Sequence, residues 1–102
     1  MSVIVEFSVI PMGETTSVSR FVAHAVKALD ELGVKYETTS MGTIFEAGSL
    51  REALRYVETA HEAVFKAGAR RVVTVIKIDD RRDVERKMED KIKSLKKAFE
   101  EL

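Results

Sequence analysis

Residues 3–13 read VIVEFSVIPMG. Val3, Val5, Phe7 and Val9 alternate with Ile4, Glu6, Ser8 and Ile10, the period-two pattern of a strand with one apolar and one mixed face. The only proline of the chain, Pro11, and then Gly13 break the run. Proline cannot donate to a sheet ladder, and glycine permits a tight exit. From residue 17 the period lengthens. Val18, Phe21, Val22, Ala25, Leu29 and Leu32 follow helical spacing, with Thr16 or Ser17 as the cap and Gly33 as the stop. A strand followed by a helix is thus the opening unit of the fold.

The same two periods continue outward from it. Val34, Tyr36 and Thr38 alternate with Lys35, Glu37 and Thr39, and a turn at Met41 and Gly42 joins this strand to residues 43–47 as a hairpin. Ser49 and Glu52 form a capping box before a second helical stripe of Leu50, Ala53, Leu54, Val57, Val64 and Ala67, which Gly68 ends. Residues 71–78, RVVTVIKI, are rich in β-branched side chains and read as the strongest strand. Asp80 or Asp83 is expected to open a last helix with Val84, Met88, Ile92, Leu95, Phe99 and Leu102 on one stripe. The order β-α-β-β-α-β plus a helix predicts an α+β fold, a ferredoxin-like sandwich with an additional C-terminal helix. Right-handed crossovers place strands one and three in the middle of an antiparallel sheet, with two helices on one face.

Composition narrows the function classes. The 102 residues predict a single domain over 1–102. Lys and Arg number 17, as do Asp and Glu, so the net charge is zero; that argues against a dedicated nucleic-acid binder. With no cysteine, disulfides, thiol catalysis and thiolate metal sites are excluded. No apolar run approaches the roughly 20 residues of a membrane helix, and no signal peptide is recognisable, so a cytoplasmic protein is expected. The absence of Asn and Gln beside abundant charge is a bias seen in thermophile proteins. His24 and His61 fall on different helices without a second ligand at useful spacing and read as helix-edge residues, so no metal site is expected. Ser8, Ser17 and Ser19 lack an activating base. The MGE and MGT tripeptides lack the repeat and lysine of a phosphate loop.

The face that two helices leave open is mixed rather than polar, and RVVTVIKI is apolar on both sides. Such strands imply cover on both faces. A second copy, packed sheet against sheet, is the leading expectation, and the last helix folding back is the rival. Glu6 and Ser8 lie on that face. Burying Glu46 beneath the helices would be costly, so Glu46 is placed outward beside them, with Glu37 and Thr39 from the second strand. Acidic clusters with few basic neighbours suit a cationic small molecule or a metal. Alternating Glu and Thr equally describe an ordinary solvated sheet face.

SVIPMG (residues 8–13), the helix after it and MGTIFE (residues 41–46) together resemble the small thiamine-binding protein family related to YkoF, over nearly the whole chain. The resemblance implies a ferredoxin-like fold, homo-oligomers such as tetramers built by sheet-face packing, and binding of thiamine or its hydroxymethylpyrimidine moiety without catalysis or cofactor. Ser8, Gly13, Thr43 and Glu46 fall within the matching motifs. The expected ligand set is Glu6, Ser8, Thr16, Ser17, Glu37, Thr39, Thr43 and Glu46, in a pocket on the open sheet face near a subunit contact. Two other readings compete. One is a ferredoxin-like regulatory module that binds another small effector. The other is a small α+β barrel enzyme with Glu6 or Glu46 as general acid or base, for which no second catalytic group is evident.

Overall fold

The computed structural model describes residues 2–13 and 18–102. Seven elements follow one another: β1 Val3–Pro11, α1 Ser19–Glu31, β2 Tyr36–Thr38, β3 Thr43–Ala47, α2 Leu50–Lys66, β4 Val72–Asp80 and α3 Met88–Glu100. The sheet is antiparallel in the order β2-β3-β1-β4. This is the expected ferredoxin-like arrangement, with β1 and β3 central.

Alternation in β1 builds the core. Val3, Val5, Phe7 and Val9 point to the helix side and are buried there with Phe45 and Ala47 of β3. Phe21, Ala25 and Leu29 of α1 and Ala53, Tyr56, Val57, Ala60 and Val64 of α2 close over them. The α2 stripe is rotated from the expected one. Leu50 and Leu54 are exposed, and Tyr56 and Ala60 take their places. The Tyr56 hydroxyl donates to Glu52. That bond is the main cause of the raised pKa of Tyr56. It also occupies the carboxylate expected to complete the capping box, so only the Ser49 half is made, with Glu52 N–H donating to Ser49 Oγ at 3.1 Å.

Three boundaries differ from the sequence reading. Thr16 and Ser17 lie outside the described residues; α1 begins at Ser19, with Val18 at the capping position and no side-chain cap. Strand β2 shrinks to three residues because the turn after it begins at Thr39. That hydroxyl donates to Gly42 O (2.9 Å) and accepts from Met41 N–H and Gly42 N–H (3.2 and 3.1 Å). The last helix starts at Met88 rather than near Asp80 or Asp83. Strand β4 runs on through Asp80, and the acids and arginines of residues 80–83 pair locally: Arg82 with Asp80 (2.7 Å) and Arg81 with Asp83 (2.7 Å). These ion pairs hold both carboxyls below the ordinary carboxylate range. They also take the side chains that were expected to cap a helix, so Val84 lies in an exposed connection.

α3 folds back over part of the open face. Met88 N–H donates to Glu46 Oε1 (2.6 Å), Lys91 pairs with Asp79 (2.6 Å), and Lys35 bridges Glu46 and Glu89. The bond to Glu89 is the main reason the Lys35 ammonium is held above its ordinary pKa. Met88 is buried, but Ile92, Leu95 and Phe99 are exposed and the helix projects past the sheet. The rival cover is thus present for the β3 side of the face, while Ile10, Val73 and Val75 stay exposed. Ile76 and Ile78 pair with Phe7 and Val5, which puts them on the helix side of edge strand β4, where α2 leaves them partly bare.

Candidate functional site

Of the eight residues expected to share one pocket, Thr16 and Ser17 lie outside the described residues, and the other six occupy two separate places. Glu6 and Glu37 lie on the open face with Ile4 and Ile44, in a chamber of about 260 Å³ roofed by Met88 and Ile92. Lys77 stands opposite Glu6, and Lys91 and Asp79 close the other side, so the acidic cluster is interrupted by cations. Glu46 shares this face as expected. However, its carboxylate accepts from Met88 N–H and pairs with Lys35 at 3.7 Å, so it anchors α3 and the β2 approach.

Ser8, Thr39 and Thr43 line a different cavity, of about 220 Å³, where β1, α1 and the β2–β3 turn meet. Thr43 pairs with Phe7 and Thr38, so strand parity turns it to the helix side, where it is buried. The Thr39 hydroxyl is already engaged within its own turn. Phe7, Val9, Val22 and Val26 supply apolar wall, and Met41 lies at the rim.

A mismatch of strand lengths creates this cavity. β1 has nine residues and β3 only five, and their pairing stops at Phe7↔Thr43. Among the described residues, β1 is paired beyond Phe7 on its β4 side alone. Met12 N–H donates to Arg71 O (2.8 Å), so the even-numbered residues of β1 aim their main-chain groups at β4 and the odd-numbered ones at β3. The N–H and C=O of Val9 and the C=O of Pro11 therefore face the edge that β3 has vacated. Proline is tolerated at this position because the donor it lacks would point at an unpaired edge. Gly42 lies against that edge: a Cβ placed on it would come within 2.9 Å of Phe7 O. The cavity thus offers an apolar slot, a hydroxyl at Ser40, and one donor–acceptor pair of main-chain groups, while strand parity turns the Ser8 side chain to the open face with Val75.

The sequence reading missed Val9, Val22, Val26 and Met41 as site residues. The signal that finds them is the difference in length between neighbouring strands, not residue type. His61 Nδ1 lies 2.6 Å from Thr74 Oγ1, and its ring packs on Phe65, tying α2 to β4. Among the described residues no group of three His, Asp or Glu side chains converges to hold a metal, and no helix is long and apolar enough to cross a membrane.

Fold and cavity together define a ferredoxin-like α+β protein with a chamber at the open end of its central strand. The sequence pattern of the family described as thiamine-binding protein matches residues 5–96, and the chain belongs to that family. A UPF0045 protein of Methanothermobacter thermautotrophicus is 50% identical over 95 residues, covering 92% of this chain and 96% of the relative. UPF0045 protein YqgV of Bacillus subtilis is 42% identical over 102 residues, covering 95% and 97%. Among solved structures, MJ1052 from Methanocaldococcus jannaschii superposes with a TM-score of 0.84 at 39% identity, covering 93% of this chain and 96% of that one. TM0486 from Thermotoga maritima shares the fold, with a TM-score of 0.79 at 23% identity, covering 93% and 99%.

Proposed function

We propose that the protein binds thiamine, or its aminopyrimidine moiety, without turning it over, and that the pyrimidine ring enters the cavity at the end of β1. The observation that carries this reading is the vacated edge at Val9. An aminopyrimidine presents an amino donor beside a ring-nitrogen acceptor. One extended residue presents the complement, a C=O acceptor and an N–H donor on the same side, so the ring docks as a missing strand would. Val22 and Val26 on one side and Phe7 below give the flat ring apolar contact, and Ser40 remains for the hydroxymethyl or amino group. Glu6 and Glu37 sit in the other chamber and have no part in this contact. Membership of a family named for thiamine binding, and the convergence of the SVIPMG and MGT motifs on this cavity, support the same reading.

Isothermal calorimetry with protein stripped of ligand by unfolding and refolding tests it. Saturable heat is expected with thiamine and with 4-amino-5-hydroxymethyl-2-methylpyrimidine, near one ligand per chain. A pyrimidine lacking the 4-amino group should bind at least about tenfold more weakly, the loss of one hydrogen bond and the stranding of its partner. No heat with thiamine at millimolar concentration would end the proposal.

Self-association is part of the same reading. Ile10, Val73 and Val75 form an exposed apolar strip on the open face, continuous in sense with the bare stripe of α3. Val75, 57% exposed, is the most open of the three. Val75→Glu is expected to lower the sedimenting mass toward that of one chain while leaving the circular dichroism spectrum unchanged. A Val75→Glu protein that sediments as the parent does would remove this face as the contact.

A further inference from the structure

We propose that the small pocket between Ser2, the end of β4 and the approach to α3 binds the phosphate group of a phosphate or phosphate monoester through Arg86. The pocket has a volume of about 70 Å³ and is lined by Ser2, Ile4, Asp79, Arg81, Arg86 and Lys91. Arg86 Nε is buried and, among the described residues, has no hydrogen-bond partner. Its Nη2 donates to Ser94 Oγ at 3.1 Å, which fixes one side of the guanidinium. A guanidinium stays charged at every physiological pH and presents N–H groups in a fork that matches two oxygens of one oxyanion.

The charges around it favour an anion. Three cations, Arg81, Arg86 and Lys91, face one carboxylate, Asp79. Lys91 neutralises Asp79 at 2.6 Å, and Arg81 is matched by Asp83 through two contacts of 2.7 and 3.2 Å. The nearby Glu85 turns to Ser2, accepting from its N–H (3.1 Å) and its hydroxyl (2.8 Å). Among the described residues lining the pocket, Arg86 is then the cation without a carboxylate partner. A tetrahedral oxyanion supplies the acceptor that Nε lacks and the negative charge that the pocket lacks.

The volume suits the phosphate group itself. Ile4, Asp79 and Lys91 are shared with the 260 Å³ chamber on the open face, so the body of a monoester has apolar room beside the pocket. The two sources differ in one measurable respect, whether an apolar body adds affinity.

The test is a ¹H–¹⁵N spectrum of the arginine Nε–Hε groups, with the Arg86 signal assigned in the parent protein by triple-resonance correlation to its own backbone. At constant ionic strength, sodium phosphate is expected to shift that signal saturably, and sodium chloride is not. Phenyl phosphate saturating at a tenfold or lower concentration than inorganic phosphate assigns the monoester; equal concentrations assign the free anion. Arg86→Lys, which keeps the charge but loses the fork, should weaken phosphate binding at least tenfold while the heat of thiamine binding stays unchanged. A linear drift of the Arg86 signal with phosphate, or the same shift with chloride, overturns the proposal. The wild-type titration is decisive by itself if the variant does not fold, and it is independent of whether a pyrimidine binds at Val9.

Discussion

Phe45→Ala is expected to cost about 3–5 kcal/mol of folding stability, the range for removing a fully buried phenylalanine. Phe45 has no exposed surface and sits at the centre of the sheet on β3. Its ring meets Phe7 edge-on, with centroids 5.7 Å apart, and Tyr56 at 5.9 Å. Such edge contacts add about 0.5–1.5 kcal/mol beyond area burial. The neighbours cannot collapse into the gap without moving α2 off the sheet, because Tyr56 is held at its far end by Glu52. A domain of this size has about 5–15 kcal/mol in total, so the variant should melt more than about 12 °C below the parent, taking about 4 °C per kcal/mol as the lower bound. Phe45→Leu, which keeps most of the apolar volume, should fall between. Phe7 forms both the Phe45 contact and a wall of the cavity proposed for the ligand. Thiamine should therefore raise the melting temperature of Phe45→Ala by less than it raises that of the parent. A loss under about 1 kcal/mol in urea unfolding would mean that the aromatic trio does not organise the core.

How far the sequence carried the reading varied from one element to the next, for physical reasons. β1 and β3 were legible because one face of each is buried, and burial imposes strict alternation; the same parity correctly turned Glu6 and Glu46 outward. Applied to Thr43, two residues before Phe45, it also gives a helix-side position, although the hydroxyl made the residue look like part of an acidic surface site. The start of α3 was not legible. Aspartates followed by an apolar stripe resemble a helix start, but here Asp80 and Asp83 are paired with Arg82 and Arg81 in the exit from β4. The candidate site was hidden for a different reason. Its defining groups are main-chain atoms of Val9 and Pro11, which lie beyond the end of the pairing with β3. No residue type encodes that. The proline came nearest: a residue without a donor, at the end of a central strand, marks the length over which that strand is not paired on both sides.

Gly42→Val is expected to abolish pyrimidine binding, and Gly42→Ala to weaken it at least tenfold. A Cβ on Gly42 would stand 2.9 Å from Phe7 O and 3.6 Å from Phe7 C. Both are main-chain atoms of β1, held between β3 and β4, and have no rotamer by which to yield. The turn must therefore retreat, and Thr39 must retreat with it, because its hydroxyl clasps Met41 and Gly42. That movement widens the cavity at the edge where the amino group and ring nitrogen would meet Val9. Overpacking of this kind costs about 1–3 kcal/mol of stability, so lower affinity alone would not separate a damaged site from a loosened fold. Gly33→Ala provides the separation. Gly33 has φ +72°, and a methyl group there would meet nothing within 4 Å. Alanine at that position therefore strains the backbone at the end of α1, outside the residues that line the cavity. Both alanine variants should melt below the parent, and calorimetry should find thiamine affinity reduced in Gly42→Ala alone. If the two variants kept parental affinity alike, the β2–β3 turn would not belong to the binding site. If they lost it alike, the loss would follow stability rather than the geometry at Phe7. Only a loss confined to Gly42 ties the ligand to the edge that β3 leaves open.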